Sequence, residues 1–319
     1  MFDHILVPLD GSSLAECVLP HVIAIARALE ARVTLLQVLE RTQDRSQAQF
    51  VDPLGWYMGA AEARTYLGNL AARLQKAGLQ VETTFLEGQA AERIIEFARD
   101  RDVSLIVLSS HGQSGLSGWN VSSIVLKITL RSYLPVMIVR AYQPPAPDLM
   151  GLRYRRLLVP LDCSQRAECV LPLATTLARF YGAELLAGHV VTRPQMPHRA
   201  PLAPEERELA TQIIERNRLE ATRYLRQLQP RLSDVDVRMH VAVGDHAAET
   251  LHELVEQADV DLVVLSAHGY SGGTKWPYGS LVLNFIGYGA TPLLIVQDLS
   301  PEEVERTQAE MAARERKGH

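Results

Sequence analysis

The chain repeats itself. "ILVPLD" at 5–10 returns as "LLVPLD" at 157–162, an offset of 152, and "ECVLP" at 16–20 returns unchanged at 168–172. Further along, "LIVLSSHGQSG" at 105–115 pairs with "LVVLSAHGYSG" at 262–272 at an offset of 157, so the second copy has gained five residues in between. A repeat of roughly 150 residues is domain-sized, well above the about 20–50 residues of a solenoid unit. Two homologous domains are therefore predicted in the 319 residues, each long enough to bury a core of its own. The Pro-rich "AYQPPAPDLMG" at 141–151 supplies the join. The expected boundaries are 1–142 for the first domain, 143–153 for the linker, 154–298 for the second domain and 299–319 for a C-terminal helix or tail.

Within each copy short apolar runs alternate with longer helical patterns. Strands are predicted at "HILVPL" and "RLLVPL", followed by Asp, Ser and amphipathic helices over 13–30 and 165–181. Strands at 32–39 and 184–191, helices at 56–77 and 205–229, and strands at 80–86 and 235–243 come next. A third helix begins near "AAE" in each copy, after Gly88 or Gly244. "SLIVLS" and "DLVVLS" are continuous apolar runs, as expected of strands covered on both faces. A last helix and "PVMIVR" or "PLLIVQ" complete the unit. This order predicts an α/β fold of two tandem doubly wound domains. Each is a five-stranded parallel sheet in the order 3-2-1-4-5 with helices on both faces, because parallel neighbours need right-handed crossovers. Such a sheet binds ligands beyond the carboxyl ends of its strands, where strand order reverses.

Composition narrows the partners. With 47% hydrophobic and 22% charged residues the chain reads as an ordinary soluble protein. A net charge of -5 gives no electrostatic reason to expect nucleic acid or an anionic membrane. No secretory signal opens "MFDHILVPLD", and no apolar run approaches the roughly 20 residues that span a bilayer. Cys17, Cys163 and Cys169 follow no metal-binding spacing. A cytoplasmic location is expected, with Cys17 and Cys169 as packed thiols.

The chemistry gathers in two loops. "SAHGYSGGTKWPYGS" at 266–280 leaves the fourth strand of the second copy and feeds a helix near Gly279. A glycine at 269 lets backbone or ligand approach closely, and Gly279-Ser280 offers main-chain NH groups at a helix N-terminus, which together suit an anion. The GK[ST] of a Walker loop and the GxGxxG fingerprint are both absent. Asp10 and Asp162 end the first strands in the same crevice. They are read either as turn or capping residues or as acceptors for a ribose hydroxyl or base edge.

These residues resemble the universal stress protein family. Its ATP-binding members carry a small residue or Gly, two residues, Gly, nine residues and Gly-Ser or Gly-Thr, which Ser266, Gly269, Gly279 and Ser280 match with serine at the first position. The likeness covers nearly the whole chain twice. It implies ATP as ligand, with Mg or Mn bridging its phosphates. Asp162 would contact the nucleoside, Val190 would lie beside the adenine, and Gly269, Gly279 and Ser280 would hold phosphate, with Pro160, His268 and Leu281 in the same site. The matching residues of the first copy are Pro8, Asp10, Val38, Ser109, Gly112, Ser122 and Ser123. Ser122 departs from the family's glycine, so its side chain is expected to crowd the phosphates or force a different backbone angle, making the second copy the tighter binder. The family also implies pairing through the fifth strands, here within the chain, with a homodimer as a further option.

The expected function is a nucleotide-binding stress or regulatory protein whose output is binding. A slow ATPase using the same crevice and an adaptor that binds no nucleotide stay open. His111 and His268 are expected to bond to their own backbone rather than act as bases, and Trp119 and Trp276 to pack rather than form lids. The segment 192–206 reads as a cover for the crevice or a plain connector, and His189 with His198 makes a poor zinc site.

Overall fold

The computed structural model describes residues 2–40, 53–112, 121–141, 148–194, 203–270, 277–300 and 302–305. Trp119, Trp276, His198 and the chain beyond 305 lie outside them. Two compact units are formed, Met1–Arg153 with Ile286–Pro292, and Tyr154–Phe285 with Leu293–His319.

The first unit runs β1 (His4–Leu9), α1 (Leu19–Leu29), β2 (Arg32–Leu39), α2 (Pro53–Lys76), β3 (Val81–Glu87), α3 (Ala90–Asp100), β4 (Leu105–Ser109), α4 (Ser123–Ser132) and β5 (Val136–Val139). The second repeats it as β6 (Arg156–Pro160), α5 (Leu171–Tyr181), β7 (Glu184–Thr192), α6 (Pro204–Leu228), β8 (Val237–Gly244), α7 (Ala247–Gln257), β9 (Leu262–Ser266), α8 (Ser280–Tyr288) and β10 (Leu293–Val296). Strand order is β3-β2-β1-β4-β5 in the first and β8-β7-β6-β9-β10 in the second, with parallel pairing. The doubly wound order read from the sequence is thus the one adopted. Ile5, Leu6, Val7, Leu105, Ile106 and Val107 are completely buried, as central strands flanked by helices require.

Two equivalent elements start later than the periodicity predicts. The amphipathic stretches at 13–30 and 165–181 open as 3-10 turns at Ala15–Val18 and Ala167–Val170, and the α-helices begin only at Leu19 and Leu171. Pro20 and Pro172 sit at the first positions of those helices, where a missing N–H costs nothing and φ is already helical. Cys17 and Cys169 therefore lie in the tight turns rather than in helices. Burial pushes the Cys17 thiol up to about 11, against a lowering contact from Ser109, and burial with the nearby Asp298 carboxylate pushes Cys169 up to about 12. Both stay protonated, as packed thiols do. Among the described residues no helix is long and apolar enough to cross a membrane.

Candidate functional site

In each unit the chain leaves the first strand toward one side of the sheet and reaches the fourth strand on the other. A crevice opens where their carboxyl ends part. Pro8, Asp10, Val38, Ser109, Gly112, Ser122 and Ser123 all border a cleft of about 500 Å³ in the first unit. Pro160, Asp162, Val190, Ser266, His268, Gly269, Gly279, Ser280 and Leu281 all border a cleft of about 140 Å³ in the second. Small-molecule sites usually span about 300–1,000 Å³. The first cleft falls within that range and the second below it.

The aspartates close turns and face the loop at once. Asp162 Oδ1 accepts from the Ser164 N–H at 3.1 Å and the Ser164 hydroxyl at 2.6 Å, and Ser164 Oγ accepts from the Ala167 N–H at 3.2 Å. Asp10 makes the same turn with Ser12 at 3.0 and 2.7 Å. The second carboxylate oxygen of Asp162 accepts from the Tyr270 N–H across the crevice. A Cβ on Gly269 would stand 2.1 Å from that oxygen, and a Cβ on Gly112 would stand 1.9 Å from Asp10 Oδ2. The requirement for glycine is therefore close approach by the chain's own carboxylate. Ser109 and Ser266 are also turned inward: each hydroxyl donates to the carbonyl of the loop histidine two residues on, His111 at 2.7 Å and His268.

The helix N-termini differ by one hydroxyl. The Ser122 N–H donates to Ser110 C=O at 2.9 Å and the Gly279 N–H to Ala267 C=O at 2.8 Å, so the two loops enter their helices alike. Ser122 has φ -63° and ψ 155°, an ordinary extended conformation, and a Cβ on Gly279 would meet nothing nearer than 3.6 Å. The expectation that serine here forces a different backbone angle is thus overturned, because neither position needs glycine's freedom. Ser122 instead caps α4, its Oγ accepting from the Val125 N–H at 3.3 Å. That bond occupies one of the amides a helix start would offer an anion. Gly279 has no side chain with which to cap α8 in the same way. Ser122→Ala is expected to lower the stability of the first half by about 1 kcal/mol, read by urea denaturation.

The two histidines differ. His111 Nδ1 lies 3.0 Å from the Ser110 hydroxyl. His268 bonds to Asp298: Nδ1 stands 2.7 Å from Asp298 Oδ1, which also accepts from the His268 N–H at 3.1 Å. Arg166 donates to Asp298 Oδ2 at 2.8 Å and to Glu303 Oε1 at 2.7 Å. Burial pushes the Asp298 carboxyl upward, but the bonds and charges of His268 and Arg166 outweigh it and hold the group below the usual carboxylate range. Asp298, Arg166 and Glu303 were invisible to sequence reading, since 30 and 132 residues separate the bonded pairs. His189 also borders the second cleft, its Nδ1 donating to Leu161 C=O at 2.8 Å. Gln37 and Glu40 border the first, and Glu40 accepts from the Ala90 N–H at 2.9 Å at the start of α3.

A doubly wound parallel sheet with a crevice at the switch point defines an α/β protein, its unit present here in two copies. The sequence model of the universal stress protein family matches residues 1–140 and 153–297, and the chain belongs to that family. Among curated relatives, universal stress protein YxiE of Bacillus subtilis is 29% identical over 149 residues, 44% of this chain and all of its own. Universal stress protein MJ0577 of Methanocaldococcus jannaschii is 26% identical over 156 residues, 44% of this chain and 96% of its own. Among solved structures, a universal stress protein from Archaeoglobus fulgidus superimposes with a TM-score of 0.64 at 17% identity, over 94% of this chain and 100% of its own. The fold is thus shared along the length of the tandem.

Proposed function

We propose that this chain is a binding protein for adenine nucleotides, ATP foremost, with one cleft in each half. The observation that carries the reading is the meeting in one crevice of three features. They are a carboxylate ending the first strand (Asp10 or Asp162), the end of the second strand (Val38 or Val190), and the amides that open α4 or α8. The carboxylate suits a ribose hydroxyl. The strand end offers backbone donors and acceptors to a base edge. The helix start, with its partial positive charge, suits phosphate. Among the described residues no three of His, Cys, Asp or Glu come together to hold a metal, so Mg or Mn enters this reading on phosphate oxygens, as hard cations commonly do.

Binding rather than turnover is the proposed output. Hydrolysis needs a base that can reach an attacking water. His268, the ring in the second cleft with a carboxylate partner, has a side chain only 1% exposed and its Nδ1 committed to Asp298. Binding then acts by favouring one of two arrangements of the loops that close the crevice.

The second half is the tighter binder in this reading because the Ser122 hydroxyl takes the Val125 amide in the first, while glycine at 279 has no side chain to compete for an amide at the start of α8. A hydrogen bond to a charged group contributes about 1.5–3 kcal/mol, so a difference of about tenfold or more is expected between the sites. Titration with ATP, AMP and a nonhydrolysable analogue tests this on three proteins: wild type, Gly279→Val and Ser122→Gly. Gly279→Val should remove the stronger site without unfolding the chain, since its Cβ has room, and Ser122→Gly should strengthen the weaker one. No saturable binding to wild type would leave the adaptor alternative standing, and steady-state phosphate release would restore the ATPase.

A further inference from the structure

The second cleft is braced by a chain of ion pairs built on two positions whose equivalents in the first are uncharged. His268 lies in the loop beside Gly269, and both its main-chain N–H and its ring bond to Asp298, whose side chain is 2% exposed. Arg166 spans from Asp298 to Glu303, and Glu303 in turn closes the start of the last described helix, with its Oε2 2.9 Å from the Ser300 N–H and its own N–H 3.3 Å from Ser300 Oγ. Arg166 sits in the turn that carries Asp162 and Ser164. The two sides of the crevice are therefore tied twice, once by Asp162 to the Tyr270 N–H and once by Arg166 through Asp298 to His268. In the first half the corresponding positions are Leu14 and Ala141, and neither can make an ion pair. There Ser110 links the loop to the end of the fifth strand, bonding the His111 ring at 3.0 Å and accepting from the Ala141 N–H at 3.1 Å.

We infer that Asp298 and Arg166 are positioning residues of the second cleft. They fix the His268–Gly269 segment in the conformation that meets a ligand, and through Glu303 they make Ser300 and the turn at 302–305 part of the same brace. For nucleotide affinity the inference rests on the function proposed above; for loop geometry it stands by itself. A buried carboxylate with two charged or hydrogen-bonded partners resists loss of any of them, because the remaining charge would be left uncompensated. Releasing Asp298 therefore frees the loop rather than only removing one bond.

The test is amide hydrogen exchange on the full ligand-free chain, followed by ATP titration. Asp298→Ala should raise exchange at His268 and Tyr270 at least tenfold while leaving residues 109–112 unchanged, and should weaken ATP at the second cleft about tenfold without touching the first. Arg166→Gln should do the same to a lesser extent and carries the expectation if Asp298→Ala does not fold. Arg166→Lys, which keeps a charge beside Asp298, should restore most of the protection. Unchanged exchange at 268 and 270, or an equal rise at 109–112, overturns the inference. If exchange changes as expected but wild type takes no ATP, the positioning role survives and the nucleotide reading fails.

Discussion

Replacing Gly269 by alanine is expected to destabilise the second half by about 3 kcal/mol and to abolish nucleotide binding there while sparing the first cleft. The added methyl would lie 2.1 Å from Asp162 Oδ2. The carboxylate cannot simply swing away, because one oxygen is held by Ser164 and the other by the Tyr270 N–H. Yielding means opening either the turn after β6 or the loop after β9, and both form walls of the cleft. The cause can be isolated with a second substitution. In an Asp162→Ala background the obstructing oxygen is gone, and Gly269→Ala should then cost less than about 1 kcal/mol. Chemical denaturation of the four proteins measures both values; equal costs in the two backgrounds would show that the carboxylate is not the obstacle. A methyl added at Gly112 would lie 1.9 Å from Asp10 Oδ2 and should behave likewise in the first half.

Acid should weaken the fold well before its carboxylates titrate. Burial on α1 holds the His21 imidazole neutral and pushes its pKa down from 6.5 to about 4. The unfolded chain takes up this proton near pH 6.5, and the folded chain refuses it until about pH 4. Stability is therefore full above pH 6.5 and falls as the pH drops toward 4, at up to about 1.4 kcal/mol per unit. His21 retains some exposed surface, so the expected loss between pH 7 and 4.5 is about 2 kcal/mol. His4 and His240 are also shifted down by burial and add to the slope with the same sign. His21→Gln isolates one contribution: urea midpoints at the two pH values should lie closer together by most of that 2 kcal/mol. An unchanged spacing would mean that the folded state accommodates the charged ring. Asp298, with its carboxyl held below the usual range, contributes stability that is lost only at still lower pH, outside this window.

The strands and their order were legible because short apolar runs, continuous in β4 and β9, alternate with helical patterns, a local signal that tertiary packing had no reason to override. The starts of α1 and α5 were less so. Apolar periodicity runs through "SSLAECVLP" without a break, and only the prolines, read as first-turn residues, mark where the α-helix begins. At the site, the residues named from the sequence do border the two clefts, but several serve the fold in ways the sequence did not suggest. Small residues at 109, 112, 266 and 269 suggested space for a ligand, yet two of them spend their hydroxyls on the loop backbone and two make room for an aspartate. Ser122 looked like a backbone defect and is a helix cap. His268 looked self-contained because its partner, Asp298, follows the last strand of the unit and no local pattern points from one to the other.

The duplication, the doubly wound fold and the position of both crevices follow from sequence alone, because repeat length and hydrophobic period are properties of neighbouring residues. Tertiary structure decided which atoms fill each crevice: the Asp162 carboxylate against Gly269, the Ser122 hydroxyl on Val125, and the brace from His268 through Asp298 and Arg166 to Glu303. Loops distant in the chain meet only at the end of a finished sheet, and their short polar contacts depend on that meeting rather than on any period in the sequence.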